Sequence, residues 1–404
     1  MNRTSFIISV ASLRMALCFV NVLTEEQKVV CQKFRFEMGK NVVDDHALDG
    51  HVIERYTVKT AAQCHMMCRD NCLCLSINYL SSLQENNCEL NDAVKRKKPE
   101  ALKFKSGAQY YDLVRMHSVE GGRPYVKGKD VCVNRCCQPN PCFQGAECVE
   151  NCDPDDARFT CSCSARYTGQ RCEHRCYKSC KDAKENGIWQ SGRYLICNGE
   201  IEPFYVYCEI SPSSTFIWTL LQSFAIDRQL QFSSQPFINS FPVRDNLLEI
   251  DWGLYRLSLA RMKYLAEQST HLRVTCNYNT DGLQYTDYAQ AELEHHNLFA
   301  TFNNKCRIYE HIVIRGIECR NCTALTNQPS DHAWHIDSYL SSANGCNFDG
   351  RPGMGKSEHN FGWYAHGRVN TDHRCSSSPM STTQHWFGIF YVPGINRPQS
   401  FPGK

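Results

Sequence analysis

From Cys74 to Leu80 the chain alternates: Leu75, Ile77 and Tyr79 are apolar, Ser76 and Asn78 polar. A period of two puts the apolar side chains on one face, the pattern of a half-buried strand. Just upstream, Thr60-Ala-Ala-Gln63 sets a hydroxyl three residues before a glutamine, which predicts a helix start. That helix would carry Cys64 and Cys68 four apart, on one face. Two further strands are predicted at 88–90 and 109–113. Residues 114–132 show no period and read as a linker. Beyond residue 176, aromatic and β-branched residues alternate through 191–196, 203–210 and 218–222, and a short amphipathic helix is predicted near 258–267. The class this gives is α+β.

A chain of 404 residues exceeds one ordinary core, so two or three domains are expected. Its hydrophobic fraction of 42% and charged fraction of 21% are those of folded protein rather than a disordered chain. Its 26 cysteines are far more than a reducing cytosol supports. Residues 1–24 have a short basic start and then a largely apolar run, the form of a secretory signal peptide. No later stretch is long and apolar enough to span a membrane, so no span is expected in the mature chain. Cleavage would remove Arg3 and Arg14 and no acid, lowering Lys plus Arg from 44 to 42, against 42 Asp plus Glu. A balanced charge excludes nucleic acid and acidic membranes as natural partners. Cleavage would also remove Cys18, taking the cysteines from 26 to 25. An odd count means one free thiol or one disulfide to another chain.

Six cysteines crowd residues 137–172 in the pattern C-x4-C-x5-C-x12-C-x-C-x8-C. So short a segment holds too little apolar side chain for a core and needs cross-links. The spacing, with Gly169 before the last cysteine, resembles an EGF-like module over 133–173. The resemblance implies the pairs Cys137–Cys148, Cys142–Cys161 and Cys163–Cys172. Asn134-Arg-Cys136 offers no carboxylate of the calcium-binding kind, so no calcium is expected here. Cys132, Cys136 and Cys152 are additional, and the odd cysteine is expected among them.

The pattern C-x3-C-x5-C…C around Cys64, Cys68, Cys74 and Cys88, on a helix strapped to strands, resembles the PAN/apple domain over 31–113. That family implies a helix on an antiparallel sheet and the pairs Cys64–Cys88 and Cys68–Cys74. Cys31 and Cys72 remain and are paired by elimination, a departure from the usual terminal apple bridge. Lys95-Arg-Lys-Lys98 is either a contact for a sulfated glycan or other acidic partner, or a solvated loop before Pro99.

The pieces Cys180-Lys-Asp-Ala, Ser191-Gly-Arg-Tyr-Leu-Ile196, Pro203-Phe-Tyr-Val-Tyr-Cys208 and Trp218-Thr-Leu-Leu-Gln222 together resemble the start of a fibrinogen C-terminal-like α+β domain, taken as 176–404. The family implies Cys180–Cys208, which leaves Cys176 to Cys197. Farther on the chain drifts from the family pattern. The aspartate-rich calcium loop is missing, and the aromatic segment survives only as Phe361-Gly-Trp-Tyr364. Cys276, Cys306, Cys319, Cys322, Cys346 and Cys375 are not at family spacing; Cys319 with Cys322 would close a tight two-residue loop. Family position puts a ligand groove at Trp363, Tyr364 and His366, where aromatic faces would stack on a sugar ring; the alternative is that Trp363 and Tyr364 are core.

Chemistry adds little to this picture. Gly350-Arg-Pro-Gly-Met-Gly-Lys-Ser357 fits the phosphate-loop pattern but lacks the apolar strand before it and the helical period after it, so it reads as a glycine-rich surface loop. Cys319, Cys322, His311, His332 and His335 name zinc ligand types, but an oxidising compartment favours disulfides over thiolates. No hydrolase motif is present. No catalytic residue, metal site or cofactor is therefore expected. Asn321-Cys-Thr323 is an N-glycosylation acceptor, with Cys322 in the middle position. The order PAN/apple, EGF-like, drifted fibrinogen-like resembles secreted proteins of corals and sea anemones, including skeletal organic matrix proteins. The expectation is a secreted extracellular-matrix or adhesion protein, without enzymatic activity, that binds protein or glycan. The alternative is a soluble lectin for acetylated glycans.

Overall fold

The computed structural model describes residues 15–17, 30–35, 42–119, 123–127, 129–153, 156–211, 214–245, 249–337, 340–351, 361–364 and 369–391. Most of the expected leader, most of the 350–357 loop and His366 lie outside them. The chain is mostly β-sheet with few helices, rich in disulfides, and divides into two compact units, Met1–His174 and Arg175–Lys404.

In the first unit, Thr60 caps the helix Ala61–Asp70: its Oγ1 accepts from the Gln63 amide at 3.3 Å, and Gln63 Oε1 accepts from the Lys59 amide at 2.7 Å. The two bonds satisfy amides that a helix start leaves open. The buried face of the helix carries Cys64 and Cys68, bonded to Cys88 and Cys74. Below it lies an antiparallel sheet in the order Val43–Leu48, Leu102–Asp112, Ser76–Leu80, Cys88–Asn91, Val52–Tyr56. The central strand is covered on both faces, not half-buried, because its polar residues are enclosed by partners. Asn78 accepts from the Leu48 amide (2.9 Å) and donates to the Leu48 carbonyl (3.0 Å) and Glu89 (3.0 Å). Ser76 donates to the Ala93 carbonyl at 2.6 Å. Buried polar groups so satisfied cost little.

Three expectations are corrected here. Residues 114–132 are not all linker: Val114–Val119 is a strand paired with Val30–Arg35. It shows no apolar period because its buried positions are Arg115 and His117. The second correction concerns Cys72, which bonds Cys136 and not Cys31. Pairing by elimination assumed that every bridge closes inside one module. Instead the six-cysteine stretch is anchored to the C-terminal end of the helix, where Arg158 Nη1 donates to the carbonyls of Arg69 (2.8 Å) and Asn71 (3.2 Å). Cys132 bonds Cys152, so none of the three additional cysteines is the odd one. Cys18 and Cys31 lie outside the described side chains. Within the stretch, Glu147–Glu150 and Phe159–Ser162 form a hairpin, and the bonds are Cys137–Cys148, Cys142–Cys161 and Cys163–Cys172.

The second unit is built on a ten-stranded sheet. Its order is Gly192–Ile196, Phe204–Glu209, Phe216–Ala225, Thr382–Phe390, His271–Cys276, Tyr288–Glu292, Phe302–Ile314, Ile317–Gln328, His335–Ile336, with Leu254–Arg256 beside Phe216–Ala225. The helix Leu259–Ala266 is capped by Ser258, whose Oγ accepts from the Arg261 amide. The disulfides are Cys176–Cys197, Cys180–Cys208, Cys276–Cys375, Cys306–Cys346 and Cys319–Cys322.

Mid-sheet, Arg273 is completely buried. Its guanidinium carbon lies 4.4 Å from the Trp218 ring centre and 4.5 Å from that of Trp386, and Nη2 pairs with Glu209. Trp218 reaches that position by lying over Gly388, its cross-strand neighbour. A Cβ at 388 would come within 2.4 Å of the indole. Gly388→Ala is therefore expected to displace Trp218 and to destabilise the fold by about 1–3 kcal/mol; a urea midpoint equal to that of the parent chain would contradict this packing.

Several histidines of this unit are sealed in the core. Burial pushes His385 down to about 3, and His296 and His373 to about 4. Both ring nitrogens of His385 lack a hydrogen-bond partner among the described residues. An imidazole in the unfolded chain titrates near about 6.5. Between that pH and the folded values, the unfolded chain binds protons that the folded chain refuses. Stability is thus full above about pH 6.5 and falls as the pH drops toward about 4. His385→Phe should flatten that slope by roughly 1.4 kcal/mol per pH unit, read from urea melts at pH 7, 6 and 5; an unchanged slope would show that His385 is not held neutral.

Candidate functional site

The segment Phe361-Gly-Trp-Tyr364 closes onto the end of the large sheet. Phe361 bridges to Ile336, whose amide donates to the Phe361 carbonyl at 3.1 Å. Gly362 follows with φ of +107°, and a Cβ there would sit 2.8 Å from the Trp334 carbonyl. Only glycine fits both constraints. The chain thereby turns Tyr364 inward and leaves Trp363 half-buried.

Tyr364 does not line a groove, which corrects that expectation. It is wholly enclosed, its hydroxyl 3.0 Å from Thr383 Oγ1 and its amide donating to Gln229 Oε1 at 3.1 Å, and burial pushes its phenol up. It is a strut that fixes the backbone beside Trp363. Trp363 meets His332 edge-on, with ring centres 5.6 Å apart, and His335 at 5.5 Å. The His332 side chain is 45% exposed and pairs with Asp331 at 2.9 Å. His335 is buried and its Nδ1 lies 2.9 Å from the Ala333 carbonyl. The result is an indole flanked by one accessible imidazole and its carboxylate. An indole face suits a sugar ring or an apolar side chain, and the polar pair beside it can orient the ligand. Sequence reading treated His332 only as a metal ligand type. Its separation from Trp363 leaves no local motif to reveal the pairing.

The remaining predicted residues divide clearly. Asn321 is exposed on the strand Ile317–Gln328; Cys322 is buried and bonded to Cys319, and the Thr323 hydroxyl donates to Asn347 at 2.8 Å. With Cys319 and Cys322 joined, neither offers a thiolate to zinc. His311 is 3.0 Å from Glu318 and apart from them in role. In the first unit, Lys95 lies 3.7 Å from Asp112 and Lys97 pairs with Asp156, so part of the Lys95-Arg-Lys-Lys98 charge is already matched inside the protein.

A helix stapled by two disulfides against a five-stranded antiparallel sheet is a compact module of the disulfide-rich kind found outside cells. Residues 40–116, which hold that helix and all five strands, match the PAN domain family. PAN domains bind protein or carbohydrate in extracellular proteins. No curated protein matches the chain. The PAN domain and the many disulfides mark an extracellular protein, and among the described residues no helix is long and apolar enough to cross a membrane.

The geometry separates two neighbouring aromatics. Tyr364→Ala should cost about 3–5 kcal/mol, the range for emptying a buried aromatic site, and Trp363→Ala less than half as much. Chemical denaturation at pH 7 checks this; equal losses would make Trp363 part of the core.

Proposed function

We propose that this chain is a secreted, non-enzymatic matrix or adhesion protein whose PAN domain and second unit each bind protein or glycan. The observation that carries the reading is the PAN domain at 40–116 in a chain with disulfides in both units. The six-cysteine stretch is read as an EGF-like spacer, supported by its three bonds over residues 137–172. The second unit is read as a diverged fibrinogen-like domain, supported by Cys180–Cys208 and by Trp218 on a central strand. A matrix role includes the organic matrix of a mineral skeleton, and Asn321 is read as carrying a glycan.

The second reading, a soluble lectin, is favoured by one feature: the half-buried Trp363 beside the accessible His332. A glycan array on the full-length secreted chain and its Trp363→Ala variant separates the two. The matrix reading expects recovery of the protein from the insoluble extracellular fraction and no acetylated-sugar signal that depends on Trp363. A freely diffusing protein with a Trp363-dependent signal for acetylated sugars would replace it with the lectin reading.

A further inference from the structure

Three side chains from three neighbouring strands of the second unit converge on one point. His271 opens the strand His271–Cys276 and stands directly opposite Glu292 on Tyr288–Glu292. Glu310 lies on Phe302–Ile314, one residue past His311, where the ladder to Tyr288–Glu292 ends. One ligand atom from each of His271, Glu292 and Glu310 lies within 4.8 Å of the others. Nε2 of His271 is 3.4 Å from Oε1 of Glu310. Two ligands about 2.1 Å from a tetrahedral zinc ion are about 3.4 Å apart, so this pair already has the separation such an ion needs.

The surroundings fix what each group presents. The Thr270 hydroxyl donates to the Gly388 carbonyl (3.4 Å), and its oxygen lies 2.7 Å from His271 Nδ1. With the Thr270 oxygen accepting from Nδ1–H, the tautomer that a bound metal selects, Nε2 is left to face an ion on the side of the carboxylates. Gln290 Nε2 donates to the other oxygen of Glu310 at 2.9 Å, which turns Oε1 toward His271. Second-layer bonds of this kind orient metal ligands. The imidazole is braced by Phe216, whose ring centre is 4.7 Å away, and the His271 side chain is 12% exposed. Among the described residues no lysine or arginine pairs with Glu292 or Glu310; their ion pairs are with His295 and His271.

We propose that His271, Glu292 and Glu310 form a binding site for a divalent transition-metal cation of the zinc class, with Thr270 and Gln290 as positioning residues. One imidazole with two carboxylates favours zinc over calcium, which takes six to eight oxygen ligands. Two carboxylates and a neutral imidazole also balance a divalent charge. The open side of the site leaves the fourth position to water or to a ligand group from outside. Sequence reading missed the set because its members share no motif and meet only through strand pairing.

The test is calorimetric titration of the full-length chain, stripped with chelator and dialysed, with Zn2+ alone and with Ca2+ alone. The site predicts one zinc per chain, at least tenfold weakened in Glu310→Gln and in Glu292→Gln, and little Ca2+ response. Cobalt substitution should give visible absorption that the two variants lose. Both glutamates are partly exposed, so these variants are expected to fold; thermal melts of each check that. Thr270→Val should weaken zinc by about 10–100-fold through loss of the Nδ1 partner, an effect a purely structural threonine would not have. Absence of zinc binding, or zinc binding unchanged in the Glu292→Gln/Glu310→Gln double variant, would overturn the proposal. So would calcium binding as tight as zinc at the same residues.

Discussion

The second unit depends on one buried charge. Arg273 lies in the middle of a ten-stranded sheet with no access to water. A lone guanidinium there would be prohibitive. It is tolerated because Glu209 supplies the opposite charge and two indoles supply negative π-faces on its flanks. This demands that Phe204–Glu209, Phe216–Ala225, Thr382–Phe390 and His271–Cys276 keep one register, since each contributes a member. Trp218 can join only because position 388 has no Cβ. The strand that closes the sheet comes from near the C-terminus, so the charge is not fully enclosed until almost the whole unit has assembled.

The first unit solves a different problem. Its apolar clusters are small: one gathers Cys64, Cys68, Cys74 and Cys88 with Ile77, Leu90, Tyr111 and Leu113. Half of that cluster is cysteine, so cross-links stand in for apolar volume, as they do in small extracellular domains. The face away from the helix is held by the hydrogen bonds of Asn78, Asn91 and Ser76. Such a sheet tolerates change on its exposed rim, which suits a module whose ligand contacts vary while its frame stays fixed.

What could be read in the sequence was local. The Thr60/Gln63 cap, the cysteines one helical turn apart and the alternation at 75–79 all depend on neighbours within a few residues, and with them came the PAN frame. What could not be read depends on tertiary contact. The strand Val114–Val119 buries Arg115 and His117, and a polar buried face carries no hydrophobic period. Cys72 has several cysteines within reach, and nothing near it in sequence points to Cys136. In Phe361-Gly-Trp-Tyr364, two adjacent aromatics are equally plausible as core by composition; the positive φ of Gly362 decides which one turns inward. His271, Glu292 and Glu310 meet only after three strands have paired.

The Cys72–Cys136 bridge has a consequence for how the protein is made. As the chain emerges into an oxidising compartment, Cys74 follows Cys68 after 6 residues and Cys88 follows Cys64 after 24, whereas Cys136 follows Cys72 after 64. The PAN core can therefore close while Cys72 is still an open thiol, close in sequence to the Cys68–Cys74 disulfide that a thiolate can attack. An isolated fragment ending near residue 116 lacks Cys136, the partner that Cys72 has in the full chain. Recombinant work on the PAN module alone would meet dimers and scrambled bridges that the full chain, by delivering Cys136, is built to avoid.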